Sequence, residues 1–124
     1  MGRVQRLLIG AALVTVSFAA DGKLAFASDD APMQRVLTAG QQAILDRHYR
    51  QAVRILRKGL EDDPENNALR LELGRAYLLS GADGHAIRLF RKILQTEPDN
   101  RLAKLELARA VEKVIRRQNR RQNQ

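Results

Sequence analysis

Apolar residues recur at steps of three and four along the chain after residue 30, which is the spacing of one face of an α-helix. Three such stripes are clear, in 49–60, 73–78 and 86–94. Each is flanked by turn residues, so the pattern predicts a series of separate, amphipathic helices. No strand is predicted anywhere in the chain.

The stripes return with a fixed period of 34 residues. Residues of the same type stand one period apart at four pairs of positions: Gly40 and Gly74, Ala52 and Ala86, Pro64 and Pro98, and Asn66 and Asn100. Leu56 is matched by another large apolar residue, Phe90. A fixed period of this length indicates stacked helix pairs that bury a continuous core.

The same positions predict where helices end and begin. Pro64 and Pro98 lack the amide hydrogen that a continuing helix needs, and Asn66 and Asn100 offer side-chain oxygens that cap the next helix. Turns between paired helices are expected at 46–48 and 80–84.

Small residues predict close packing within each helix pair. We expect Gly40 to lie against Ala52 and Gly74 against Ala86, since small residues let the two backbones approach.

Leu73-Gly74, Tyr77, Ala86, Phe90 and Pro98 have the types and spacing of the tetratricopeptide repeat (TPR), and the chain resembles that family. The strong copy covers 67–100, a weaker copy covers 33–66, and a half copy covers 101–118. Arg70 stands where the family often has Trp. The resemblance implies an all-α, short right-handed solenoid of antiparallel helix pairs, with two repeats and a capping helix.

The resemblance also implies that the first helix of each pair lines a concave groove that binds a peptide or another protein. The residues expected to line it are Gln34, Leu37, Gln41, Leu71, Arg75, Leu79, Leu105 and Arg109. Arg75 and Arg109 stand one period apart, and a ladder of guanidinium groups suits an acidic partner. The alternative is that both arginines pair with Glu72 or Glu106 and only solvate the surface.

The N-terminus has the layout of a secretory signal peptide. Arg3 and Arg6 precede an uncharged run over 7–20, and small residues precede two cleavage positions, of which Ala27 is preferred to Ala19. We therefore expect a signal peptide over 1–27, a linker over 28–32 and a periplasmic or secreted protein. The alternative is an uncleaved segment that anchors the chain in a membrane.

Composition argues against catalysis. The chain has no cysteine, which excludes thiol chemistry and cysteine-bound zinc. His48 and His85 lie near predicted turns without a ligand motif, and Ser80 lacks the glycine pattern of a nucleophile elbow. We predict no enzyme activity, no catalytic residue, no cofactor and no metal site.

Basic residues exceed acidic ones, 22 to 14, and five of the basic residues cluster near the C-terminus: Lys113, Arg116, Arg117, Arg120 and Arg121. Phosphates would attract such a cluster, but an export signal and the lack of aromatic residues for base stacking argue against nucleic acid. The basic polar tail, 119–124, is expected to touch an anionic membrane surface peripherally or simply to keep the end of the solenoid soluble.

The last predicted helix carries more apolar residues than one neighbouring helix would cover. Three explanations stay open: a homo-oligomer, a bound protein, or a longer relative in which more chain follows. The segment 70–76 also resembles the periplasmic N-terminal repeats of surface lipoprotein assembly modifiers. The function expected is an exported TPR-like adaptor for protein–protein interaction, with a self-assembling module or the truncated periplasmic part of an outer-membrane assembly or transport protein as alternatives.

Overall fold

The computed structural model describes residues 31–124 in full and the backbone of 5–9, 12–18 and 24–27. The chain divides into two compact units, Met1–Gln34 and Arg35–Gln124. The larger unit contains nearly all of the helical residues.

Five helices follow one another after residue 30: α1 Ala31–Leu45, α2 Tyr49–Asp62, α3 Asn67–Ser80, α4 Asp83–Thr96 and α5 Arg101–Gln122. From α2 onward each helix packs against the next, and α3 also contacts α5. This arrangement confirms the predicted all-α solenoid of helix pairs.

The helix ends follow the predicted capping residues. The side chain of Asn66 accepts a hydrogen bond from the amide of Leu69 (3.1 Å), and that of Asn100 accepts one from the amide of Ala103 (3.0 Å). The turn between α3 and α4 is shorter than the expected 80–84, because only Gly81 and its neighbour separate the two helices. Gly81 has a φ of 92°, a left-handed conformation that glycine adopts without steric cost.

The close approach of paired helices occurs at the two predicted glycines but against other partners. A Cβ added to Gly74 would lie 2.5 Å from Cε1 of Phe90, and one added to Gly40 would meet the side chain of Leu56. The expectation that these glycines lie against Ala52 and Ala86 is therefore wrong about their nearest neighbours. The residue one helical turn after each alanine covers the glycine, while both alanines are fully buried.

The core is aliphatic, with a single aromatic ring at its centre. Phe90, Leu56, Leu69 and Ile93 are fully buried, and the equally buried alanines of α2 to α5 let the helices pack closely. Arg70 is the exception among the large buried side chains. Its guanidinium donates to Asn67 and to a backbone carbonyl in the preceding loop and lies 3.2 Å from Glu65, so its charge is satisfied.

The N-terminal unit contains three antiparallel strands: β1 Gln5–Ile9, β2 Ala12–Phe18 and β3 Leu24–Ala27. The strands pair in the order β1-β2-β3, with Leu7 opposite Val14 and Val16 opposite Phe26. The expectation that the chain forms no strand is therefore wrong here; in the central strand, β2, the β-branched residues Val14, Thr15 and Val16 favour extended backbone. The signal peptide stays a prediction, and its alternative cleavage position, Ala19, lies outside the described residues.

The last helix is longer than its predecessors. It has 22 residues, whereas α3 has 14, and it continues through 119–122, which the sequence placed in a polar tail. Helix α3 ends at Ser80 and is followed by a turn. The equivalent position one period later is Val114, and α5 continues through it without a turn.

Candidate functional site

The outward residues of α1, α3 and α5 form one surface, because side chains bond directly between these helices. The amide of Gln41 on α1 donates to Glu72 on α3 (3.1 Å), and the guanidinium of Arg75 on α3 lies 3.9 Å from Glu106 on α5. We call this surface the groove face and define it by Leu37, Gln41, Leu71, Arg75, Leu79, Leu105 and Arg109. The structure thus brings these predicted groove residues onto three neighbouring helices.

Gln34, the remaining predicted groove residue, is exposed in the first turn of α1. It belongs to the N-terminal unit, so the groove face is defined without it.

Both groove arginines pair with glutamates, as the alternative from the sequence anticipated. Arg75 contacts Glu72 at 3.2 Å and Arg109 contacts Glu106 at 3.2 Å. The two glutamate side chains are only 8% and 11% exposed, whereas the arginines are largely accessible. On the groove face the two arginine side chains therefore lie exposed above buried glutamates. The negative charge of these glutamates balances the positive charge of the arginines.

Exposed leucines lie beside these arginine–glutamate pairs. Leu79 is 51% exposed and Leu105 is 47% exposed, while Leu37 and Leu71 are half-buried. Sequence reasoning missed Leu45, which is also exposed at the end of α1. Leu45 precedes Leu79 by one 34-residue period, so the sequence was sufficient to predict that Leu45 is the equivalent groove residue.

A second group of charged residues, which the sequence did not predict, connects α5 to the α3–α4 helix pair. Asp83 begins α4 and is 4% exposed; its oxygens lie 3.1 Å from Nζ of Lys113 and 2.8 Å from Nη1 of Arg117. Neither oxygen accepts a hydrogen bond of normal geometry within the part of the chain that the structure describes, so the contact is electrostatic. Lys113 instead donates to the carbonyl of Leu78 (2.6 Å).

These contacts reduce the free positive charge of the C-terminus. Besides Lys113 and Arg117, Arg116 is paired, with Glu112 at 2.5 Å. Arg120 and Arg121 form no ion pair with any residue of 31–124. Three of the five clustered cations therefore have partners within the fold.

The two histidines have different surroundings, and His48 lines a surface pocket together with Leu79 of the groove face. His85 stacks on Tyr77 with ring centroids 5.0 Å apart, and His48 immediately precedes α2. Among the described residues, no three His, Asp or Glu side chains gather closely enough to hold a metal ion. None of the helices in the described part is long and apolar enough to cross a bilayer.

Comparison with known families matches residues 67–110 to the tetratricopeptide repeat, a stretch that begins with α3, includes α4 and ends within α5. No curated protein matches the chain, so the weaker resemblance to surface lipoprotein assembly modifiers stays a prediction. The repeat period, the paired helices and this match agree on the same residues. Residues 67–110 therefore contain a tetratricopeptide repeat, a type of repeat that is typically a non-enzymatic module for binding other proteins.

Proposed function

We propose that this protein is an exported adaptor that binds an amphipathic, acidic segment of another protein across its groove face. The observation that carries the proposal is the combination of exposed Leu79 and Leu105 with the accessible edges of Arg75 and Arg109. Isolated exposed leucines are common, but two exposed leucines on one surface with accessible arginines favour a partner that supplies both apolar and acidic side chains.

The arginines retain binding capacity although they are paired. A guanidinium has five N–H donors. Arg75 directs Nη1 to Glu72 and Nε to Glu106, and Arg109 directs Nη1 to Glu106, so these pairs do not use Nη2 of either arginine. Arg75 and Arg109 therefore have donors left for a carboxylate of the partner. Because the buried glutamates already balance the charge, the leucines supply most of the binding energy and the arginines supply orientation.

A pair of leucine variants tests the groove. Leu79→Ser with Leu105→Ser removes apolar surface that is already exposed, so folding is preserved. Each loss is worth about 1.5 kcal/mol or more in a buried interface, so together they weaken binding by roughly a hundredfold. Cells that express each variant are treated with a crosslinker, and the captured proteins are quantified by mass spectrometry.

Leu89→Ser is the matched control, because Leu89 is a partly exposed leucine of α4 that lies outside the groove face. We expect the control to keep the partners of the unaltered protein and the double variant to lose them. An identical set of partners for both variants would refute groove binding.

Export is tested separately by cell fractionation and N-terminal sequencing. Cleavage after Ala27 yields a mature chain that begins at Ser28 in the periplasmic or secreted fraction. A chain that retains Met1 and stays with the membrane would favour the uncleaved anchor instead, and an intact chain in the cytoplasm would remove export altogether.

A further inference from the structure

An apolar groove runs between α4 and α5, away from the groove face. It encloses about 460 Å³ and is lined chiefly by Leu94 of α4 and by Leu107, Ala108, Val111 and Ile115 of α5. Lys104 and Glu112 stand at its edges. We call Leu107, Ala108, Val111 and Ile115 the outer face of α5.

The two preceding helix pairs show which contact is missing at this groove, because in each of them the second helix covers a small residue of the first. Gly40 is covered by Leu56 of the following helix, and Gly74 is covered by Phe90 of its following helix. Ala108 stands at the same position one period later, but it is exposed. Leu107, on the side of α5 that faces α4, is half-buried, but no helix within residues 31–124 covers Ala108, because α5 continues instead of turning.

We infer that a second copy of this chain covers it, with the two α5 helices packed antiparallel about Ala108. In such a pair each α5 takes the place that the next helix of the solenoid would occupy on the other copy. The small side chain of Ala108 allows close approach, and the aliphatic side chains on either side supply the buried surface. The contact uses the same face on both copies, which is the condition for a closed, two-fold dimer.

Charge favours this direction of pairing. Lys104 precedes Ala108 by four residues and Glu112 follows it by four. Antiparallel pairing about Ala108 therefore brings Lys104 of each copy level with Glu112 of the other, so that opposite charges meet twice. Parallel pairing would set Lys104 beside Lys104 and Glu112 beside Glu112, which is repulsive at both places.

Both charged side chains are available for these contacts. Lys104 is 3.7 Å from Asp99, a fully exposed residue, and this weak contact costs little to exchange. Glu112 holds Arg116 through one oxygen, which leaves its second oxygen for Lys104 of the other copy.

A charge swap tests the inference on the full chain. Sedimentation equilibrium of the unaltered protein is expected to give twice the mass of one chain, which is 14.0 kDa before the proposed signal peptide is removed. Lys104→Glu and Glu112→Lys each replace two attractions by two repulsions, so each should weaken dimerisation by about ten- to thirtyfold. The combined K104E/E112K variant restores opposite charges and should recover the dimer.

Arg120→Glu is the matched control, because it reverses an exposed charge on α5 away from the outer face; it should dimerise like the unaltered chain. Circular dichroism confirms that each variant keeps its helical content. A monomeric unaltered chain at high micromolar concentration would overturn the inference, since another occupant would then have to cover α5. Single variants that dimerise normally, or a combined variant that does not recover, would equally overturn it.

Val111→Glu places a charge within the outer face and should give a monomer at every concentration. The groove variant L79S/L105S should remain dimeric, because its changes lie on the other surface. Dimerisation and groove binding can therefore fail independently of each other.

Discussion

Gly74→Ala tests the packing that sets the distance between α3 and α4. The added Cβ would lie 2.5 Å from Cε1 and 2.8 Å from Cζ of Phe90, whereas carbon atoms in contact prefer about 3.5 to 4.0 Å. The ring must therefore retreat by about 1 Å. Phe90 is fully buried within a cluster that includes Ile93 and Ala103, so the movement displaces other core residues.

Two effects of opposite sign decide the result. Replacing a helical glycine by alanine stabilises a helix by about 0.5 to 1 kcal/mol, because the unfolded chain loses freedom. Overpacking a dense core costs about 1 to 3 kcal/mol. At the middle of both ranges overpacking wins, and we expect Gly74→Ala to lower the free energy of unfolding by about 1 kcal/mol.

Urea denaturation followed by circular dichroism measures this change, with an unaltered dependence on urea concentration as the sign that the unfolded state is comparable. Gly84→Ala is the matched control, since Gly84 is also helical but a Cβ there meets nothing within 4 Å. It should leave the protein equally stable or stabilise it by up to about 1 kcal/mol.

The same substitution in a protein with a smaller residue at position 90 tests whether the Phe90 ring causes the destabilisation. In a Phe90→Leu protein the smaller side chain leaves room, so Gly74→Ala should become neutral or stabilising. If Gly74→Ala is as stable as the unaltered protein, or if its effect is the same in both backgrounds, the close approach to Phe90 does not control this packing.

Two further predictions concern charged groups. Asp83→Asn removes the buried carboxylate that holds α5 and should cost about 1.5 to 3 kcal/mol; Lys113→Met should cost less, and the two together should cost less than their sum, which a double-mutant cycle measures. Strict additivity would show that the two residues do not interact. The hydrogen bond from Asn67, with a second one from another asparagine, lowers the pKa of Glu97, so the stabilisation from Glu97 is complete above its ordinary pKa and is lost as the pH falls through the lowered pKa. Asn67→Ala should raise the Glu97 pKa toward its ordinary value in an NMR titration, and an unchanged pKa would contradict this assignment.

The helical architecture was predictable because its signals are local or periodic. Pro64 and Pro98 mark the breaks between repeats, Asn66 and Asn100 cap the helices that follow, and the apolar stripes recur every 34 residues. Such signals depend on residues a few positions apart, so a single sequence is enough to read them.

The partners of the glycines were less predictable. Gly74 and Ala86 repeat together, which suggested that they meet, but the ring of Phe90 reaches Gly74 first. A period tells which positions are equivalent and leaves open which side chain of a neighbouring helix fills the gap.

Long-range charge pairs were visible only once the helices were placed. In the sequence, Lys113 and Arg117 belong to a cluster of basic residues near the C-terminus, yet in the structure both contact Asp83, some thirty residues earlier in the chain. Glu72 and Glu106 read as surface residues, yet the packing of neighbouring helices buries them beneath Arg75 and Arg109. Helix positions follow from local pattern, whereas the environment of a charge depends on which side chains the stacking of helices brings beside it, and that is a property of the folded chain.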